Sequence, residues 1–410
     1  MLAYIIGIVL FALAIGIAVA LHEAGHMLTA KAFGMKVRRY FIGFGPKIFS
    51  FTRGGTEYGL KAIPAGGFCD IAGMTALDEV TPEEAPRAMW RYPTWKRVVV
   101  LASGSITHFI LGFVILYVMA VSVGLVNLND TPLVGGVAQC ASNLEPNTLA
   151  QTPCKPGDPA PAKQGGLRAG DQILSVNGTP TSTFTDVTTI VQRSTGPTAF
   201  VIERDGRTQT LTIDVARVKG LTVTEQSAAD PTKQPLTDIG MIGVLPSRYI
   251  PYNPASAFGG TVGFTGEMFV NVWEGIKQLP NKVPSLVSAI AGAPRDPNSP
   301  MSVVGASRLG GQAVEDSQWA VFWLLLATLQ FFLGVFNLLP LLPLDGGHIA
   351  VALYERVRNW LRLLLGRPAG GPVDYTKLMP LTLLVVFVGG AMVLLSVTAD
   401  IVNPISLTGQ

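Results

Sequence analysis

The chain has 410 residues, of which 49% are hydrophobic and only 14% charged, and its mean hydropathy is +0.41. Soluble globular proteins carry about a quarter charged residues, so this composition excludes an ordinary soluble enzyme. A net charge of +3, with no basic block interleaved with aromatics, gives no footing for a nucleic-acid partner, and three cysteines are too few for a disulfide-built scaffold.

Four stretches without charged side chains, residues 1–20, 98–125, 317–344 and 378–399, are long enough to cross a bilayer, which takes about 20 apolar residues. The first lacks a basic start and runs straight into His22 and Glu23, so it reads as a retained anchor rather than a cleaved signal. Lys31, Lys36, Arg38, Arg39 and Lys47 follow it, Lys96 and Arg97 precede the second stretch, and Arg356, Arg358, Arg362 and Arg367 follow the third. Such clusters mark the cytoplasmic side, which leaves both termini and the region from about residue 127 to 316 outside the cytoplasm.

His22, Glu23 and His26 form an HExxH motif at the end of the first span. A spacing of four residues puts both imidazoles on one helix face, one turn apart, as two ligands of a single zinc require. Glu23 is offset by one residue, so its carboxylate can address a water at the metal without joining the ligands. Ionisable groups at the end of a span are costly, which favours function over two satisfied structural histidines.

Between the first two spans, Gly43, Gly45 and Pro46 and then Pro64, Gly66 and Gly67 separate short aromatic and β-branched runs, a hairpin pattern. Phe41, Phe44, Phe49, Phe51 and Phe68 suggest contact with the membrane or with the helices. The stretch 78–84 is a solvated acidic loop.

In the external region, residues 166–178 combine a short helix signal, an alternating strand at Ile173, Leu174 and Val176, and the turn pair Asn177 and Gly178. Residues 200–213 form a second hairpin about Asp205 and Gly206. The stretch 166–178 resembles PDZ domains, which bind peptides by adding a strand to a sheet edge. A β-rich module without a peptide ligand remains the alternative. Val134, Gly135, Gly136 and Val137 are the one candidate for the binding loop, and a proline-rich insertion from about 146 to 161 follows them. Cys140 and Cys154 flank that insertion on the oxidising side, where a disulfide is plausible, whereas Cys69 is expected to be free. Residues 238–244 read as a closing strand. Phe264, Met268, Phe269, Val272, Trp273, Ile276 and Leu279 recur at helical spacing within an amphipathic helix over 258–290.

Two histidines leave a catalytic zinc one protein ligand short. Asp345 follows Pro340 and Pro343, which must break the third span, and precedes Gly346 and Gly347, which permit a tight turn. A broken span presenting a carboxylate is tolerated only toward a cavity or the protein interior. HExxH and Asp345 fall at the cytoplasmic ends of their spans, hence at similar depth; a helix-capping aspartate is the alternative.

HExxH in the first span, paired with Asn337, Pro340 and the Leu344, Asp345, Gly346 run in the third, resembles the site-2 protease family of intramembrane metalloproteases. The bacterial branch with four spans and an extracytoplasmic PDZ domain fits nearly the whole chain. The resemblance implies one Zn2+ held by His22, His26 and Asp345, Glu23 as general base, and Asn337 binding substrate backbone or the developing oxyanion. It also implies a hairpin region that re-enters the membrane and holds substrate as a strand. That branch commonly shows an Asn-Phe pair in the second span. Here His108 precedes Phe109, as a substrate contact or as a structural polar contact. His348, just beyond the Asp-Gly-Gly turn, is a candidate to support the ligands.

The expected fold class is therefore a polytopic α-helical membrane protein with four transmembrane helices, a membrane-associated β-hairpin region and an inserted PDZ-like α+β domain. Its segments are 1–33 (first span with HExxH), 34–97 (hairpin region), 98–125 (second span) and 126–247 (PDZ-like domain). There follow 248–316 (amphipathic helices and linker), 317–347 (third span), 348–377 (cytoplasmic connection) and 378–410 (fourth span and tail). The expected activity is hydrolysis of peptide bonds in or near the membrane segments of single-span proteins such as pre-cleaved anti-sigma factors, at a bacterial cell membrane. The expected partners are those substrates, the lipid bilayer and a possible peptide ligand of the PDZ-like domain. The competing readings are a catalytically silent scaffold, whose mark would be a lost ligand or a lost Glu23, and a metal transporter, whose mark would be His or acidic pairs repeated across spans.

Overall fold

The computed structural model of the chain describes residues 1–75, 77–226, 230–296 and 298–407. In chain order the elements are α1 (Leu2–Ala32), β1 (Val37–Arg53), β2 (Thr56–Ile71), α2 (Thr94–Ser122), β3 (Leu125–Val126), β4 (Val134–Val137) and α3 (Pro161–Gln164). There follow β5 (Gln172–Val176), β6 (Thr179–Pro180), α4 (Phe184–Arg193), β7 (Gly196–Arg204), β8 (Arg207–Gly220) and α5 (Val223–Gln226). The chain ends with β9 (Thr237–Met241), β10 (Val244–Pro246), β11 (Tyr249–Ile250), α6 (Pro254–Ile290), α7 (Val303–Glu315), α8 (Trp319–Asn337), α9 (Asp345–Leu364) and α10 (Tyr375–Val402). They fall into two compact units, one of residues Met1–Met119 with Ala257–Gln410, the other of Ala120–Ser256.

In the first unit α1, α2, α8 and α10 are long and apolar enough to cross a membrane, and the protein is a multi-pass membrane protein. Outward-facing Ile5, Val9, Leu13 and Ile17 on α1 are exposed, as lipid-facing residues are. The inner face closes through small residues: a Cβ on Gly7 would lie 2.8 Å from Gly311 Cα of α7, and one on Gly310 would meet Phe11. Phe11, Ala313, Val314, Phe322 and Leu326 form the core where α1, α7 and α8 join. The aromatic rings of Phe109 (α2), Phe269 (α6) and Phe331 (α8) meet edge-on, 4.9 and 5.3 Å between centroids.

The β1–β2 hairpin turns through Gly54 and Gly55, both with positive φ (60° and 73°), as a tight two-residue hairpin turn demands. Each strand then bends. Tyr40 pairs with both Tyr58 and Cys69, so the first part of β1 lies between the two halves of β2. The outer half, Gly67 to Ile71, pairs on one side only. Met35, Val37 and Ile71 pack on Met27 and Ala30 of α1 and on Val100 and Leu101 of α2, which fixes the sheet against both helices.

The second unit is an antiparallel sheet in the order β6-β5-β7-β8-β9 with α4 against it. Asn177–Gly178 and Asp205–Gly206 make its turns, all four with positive φ. Thr183 and Asp186 cap α4 reciprocally. Ile173, Val176, Val187, Phe200, Ile202 and Ile213 form its core. Cys140 and Cys154 are joined by a disulfide.

Three features differ from the expectations. The expected break of the third span falls after Asn337, where α8 stops, and what differs is that Asp345 opens a separate helix, α9, which fills most of the expected connection 348–377. Pro340 and Pro343 have no amide hydrogen to donate, and the turn closes through shorter bonds from Leu338 to Val335 and Leu339 to Phe336, each 3.1 Å. The Leu342–Pro343 peptide is cis. In the second unit the short helix lies at Pro161–Gln164, before the stretch 166–178, because Gly166 adopts positive φ (80°) and ends it. Val134–Val137, the candidate binding loop, is instead the strand β4 paired with β10.

A candidate zinc site and the comparisons

His22 and His26 lie on α1 with their Nε2 atoms 3.2 Å apart. Asp345, the first residue of α9, brings Oδ2 to 3.4 Å from His22 Nε2 and 3.3 Å from His26 Nε2. The three side chains are largely withdrawn from the surface, at 9%, 8% and 17% exposure. Among the described residues this is the only group of three or more His, Cys, Asp or Glu side chains close enough to hold one ion.

The donor set fits zinc. A tetrahedral centre with ligand distances of about 2.0–2.1 Å sets its donors about 3.3–3.4 Å apart, the spacing found here. His26 Nδ1 donates to the Val100 carbonyl at 2.7 Å, so its Nε2 carries the lone pair. Neither Asp345 Oδ2 nor His22 Nδ1 has a hydrogen-bond partner, although both are buried. The two Asp345 contacts are of ion-pair length, but a neutral His26, with its Nδ1 proton given to Val100, would face the carboxylate lone pair to lone pair. A cation held between the three donors would relieve that contact.

Local sequence explains how the donors meet. Gly104 of α2 lies directly beneath both rings, where any Cβ would collide with His26 Nε2 and His22 Cε1. Gly25 brings α1 onto α2, since a Cβ there would stand 2.8 Å from the Ser103 carbonyl. Thr29 and Ser103 share a 3.0 Å hydrogen bond one turn further along. Gly346 and Gly347 lie against the backbone of residues 338–342 with no room for a side chain, so the loop can fold back and aim Asp345 at α1.

Glu23 faces the sheet. A Cβ on Gly67 would lie 3.1 Å from its Cγ. Tyr40 donates to the Ala20 carbonyl at 2.7 Å and ties the sheet to α1. The arrangement sets a carboxylate beside three candidate metal donors, a geometry that metal-assisted hydrolysis can use.

His108 is buried, with its ring centroid 4.9 Å from that of His22. Its Nδ1 lies 2.7 Å from Oε1 of Gln330 on α8. Gln330 escaped the sequence reading; an amide in the middle of an apolar span was its signal. Asn337 ends α8, half-buried. His348 stands against Tyr375, with Nδ1 3.3 Å from the phenol oxygen. In the second unit a groove of about 140 Å³ runs between α4 (Phe184, Val187, Val191) and the 239–245 segment (Ile239, Ile242, Val244).

Residues 10–363 match the family model described as peptidase family M50. The zinc metalloprotease Rip1 of Mycolicibacterium smegmatis is 46% identical over 411 residues, covering 98% of each chain. The Mycobacterium tuberculosis protein of that name is 46% identical over 408 residues, 98% of this chain and 99% of the relative. A putative zinc metalloprotease of Mesorhizobium japonicum is 30% identical over 354 residues, 83% and 86% of the two chains.

Proposed function

The chain belongs to peptidase family M50, the site-2 protease family, and as such is an intramembrane zinc metalloprotease; from that premise we propose how its residues divide the work. His22, His26 and Asp345 hold one zinc, Glu23 is the general base, and Asn337 and His108 bind the substrate backbone. The observation that carries this reading is the triangle of donor atoms, 3.2 to 3.4 Å on a side, with Glu23 next to it and outside it.

When bound, zinc acidifies water toward a pKa of about 7 and polarises the scissile carbonyl. Glu23 takes the proton from the attacking water and passes it to the leaving amine nitrogen. The Asn337 amide donates to the carbonyl oxygen as charge builds there. Amides in a membrane helix are shielded by their own hydrogen bonds, so the substrate must unwind first. The free side of the Gly67–Ile71 edge, beside Glu23, suits the extended chain that results.

The substrates in this reading are single-span proteins, such as anti-sigma factors already trimmed by another protease, cut near the cytoplasmic side of a bacterial cell membrane. The second unit is PDZ-like. Its candidate peptide groove is the one between α4 and the 239–245 segment, where a hydrophobic helix faces a strand. Co-expression of pre-truncated single-span anti-sigma factors with the wild-type protein and with Glu23→Ala tests the assignment. A fragment that depends on Glu23 is expected; no such fragment from any member of the panel would sink the substrate class.

A further inference from the structure

The helix α9 is amphipathic, with its polar face turned inward. Ala352 is buried, Glu355 pairs with Arg97 at 2.9 Å and accepts from the Val373 amide at 2.8 Å, and Asn359 accepts from the Gly370 amide at 3.0 Å. Glu355 and Asn359 line a polar cleft of about 570 Å³ that Asp78, Trp90 and Tyr375 complete. The opposite face is apolar and uncovered. Leu353, Val357, Trp360 and Leu364 form a stripe at helical spacing, with Trp360 57% and Leu364 65% exposed, and Tyr354, Leu361 and Leu365 widen it.

Water against such a face is unfavourable, and patches of this kind mark an interaction surface. Two observations identify the occupant. Seven residues (338–344) connect α9 to α8 and ten (365–374) connect it to α10, so it is tethered at both ends to membrane-spanning helices. Arg356 and Arg367 stand exposed beside the stripe, while Arg362 is turned back onto the Pro368 carbonyl at 2.8 Å. An apolar face carrying a tryptophan and flanked by arginines matches the acyl boundary and the phosphates of a leaflet.

We propose that α9 is an interfacial helix, its apolar stripe sunk into the membrane leaflet and Arg356 and Arg367 holding anionic phospholipid headgroups. Its first residue is Asp345, so the leaflet grips the element that carries one of the three metal donors.

The test uses the full chain in nanodiscs of phosphatidylcholine with or without phosphatidylglycerol. Nitroxides are placed one at a time through Leu353→Cys, Trp360→Cys and Leu364→Cys in a Cys69→Ser background, three independent reports of one face. Greater accessibility to oxygen than to a nickel chelate is expected at each position. Greater accessibility to the chelate, or exclusion of both because another protein chain covers the face, overturns the proposal. In a second arm, spin-labelled phosphatidylglycerol is expected to associate about two- to fivefold more than phosphatidylcholine with the wild type. That preference should fall to about unity in the Arg356→Glu, Arg367→Glu variant. A preference that is absent from the wild type or survives the substitutions overturns the headgroup assignment.

Discussion

His108 and Gln330, 222 residues apart, meet within the helical core with Nδ1 and Oε1 separated by 2.7 Å, and both are at most 2% exposed. The contact fixes the imidazole orientation, because Nδ1 donates to the amide oxygen and Nε2 is left as an acceptor beside the His22 ring. Replacement of Gln330 by leucine strands a buried donor, at a cost of about 1–3 kcal/mol. We expect Gln330→Leu to lower cleavage about tenfold, on the scale of that energy, while zinc content stays at the wild-type level. Metal analysis beside a cleavage assay checks both; unchanged cleavage would show that the pair does not position His108 for substrate.

The metal donors and the base should separate in their effects. His22→Ala, His26→Ala and Asp345→Ala are expected to lose zinc, measured in purified protein. Glu23→Gln is expected to keep zinc and lose about 10²- to 10⁴-fold in rate. Full zinc occupancy in Asp345→Ala would remove that residue from the ligand set.

Gly104→Ala probes the floor of the site. Its Cβ would press on both imidazoles, and overpacking of this kind costs about 1–3 kcal/mol. Zinc affinity should fall with little change at a control such as Gly16→Ala, where a Cβ meets nothing within 4 Å. Equal zinc binding in the two variants would show that the rings have room to move.

The disulfide should stabilise the second unit. Joining Cys140 to Cys154 closes a loop with a sequence separation of 14, which removes about 3 kcal/mol of freedom from the unfolded chain. In the full-length Cys140→Ser, Cys154→Ser variant, amides of β8 and β9 are expected to exchange faster, and those of α1 and α2 at wild-type rates. Unchanged protection of β8 and β9 would refute the stabilising role.

Much of this was legible in the sequence. HExxH spacing, an apolar run leading into it and a proline-broken span are local patterns, and they suffice to nominate His22, Glu23, His26 and Asp345. The Asn177–Gly178 and Asp205–Gly206 turns were equally plain, because only certain residues tolerate positive φ. What escaped depends on distant partners. Gln330 gains meaning only through His108 on another helix. Val134–Val137 became a strand because β10, more than a hundred residues later, pairs with it, and no local pattern encodes that register. The stretch after Asp345 reads in the sequence only as a connection carrying arginines, and the helix there packs its polar side inward and leaves its apolar side facing outward.

If substrate docks on the one-sided edge from Gly67 to Ile71, as proposed above, the docking has a consequence for where cuts fall. A chain docked on a strand shows alternate side chains to the protein, with a repeat of two residues. Cleavage statistics gathered over many substrates would then display an every-other-residue rhythm, small or restricted positions interleaved with tolerant ones. A protease that read its substrates as intact helices would instead leave a signature repeating every three to four residues.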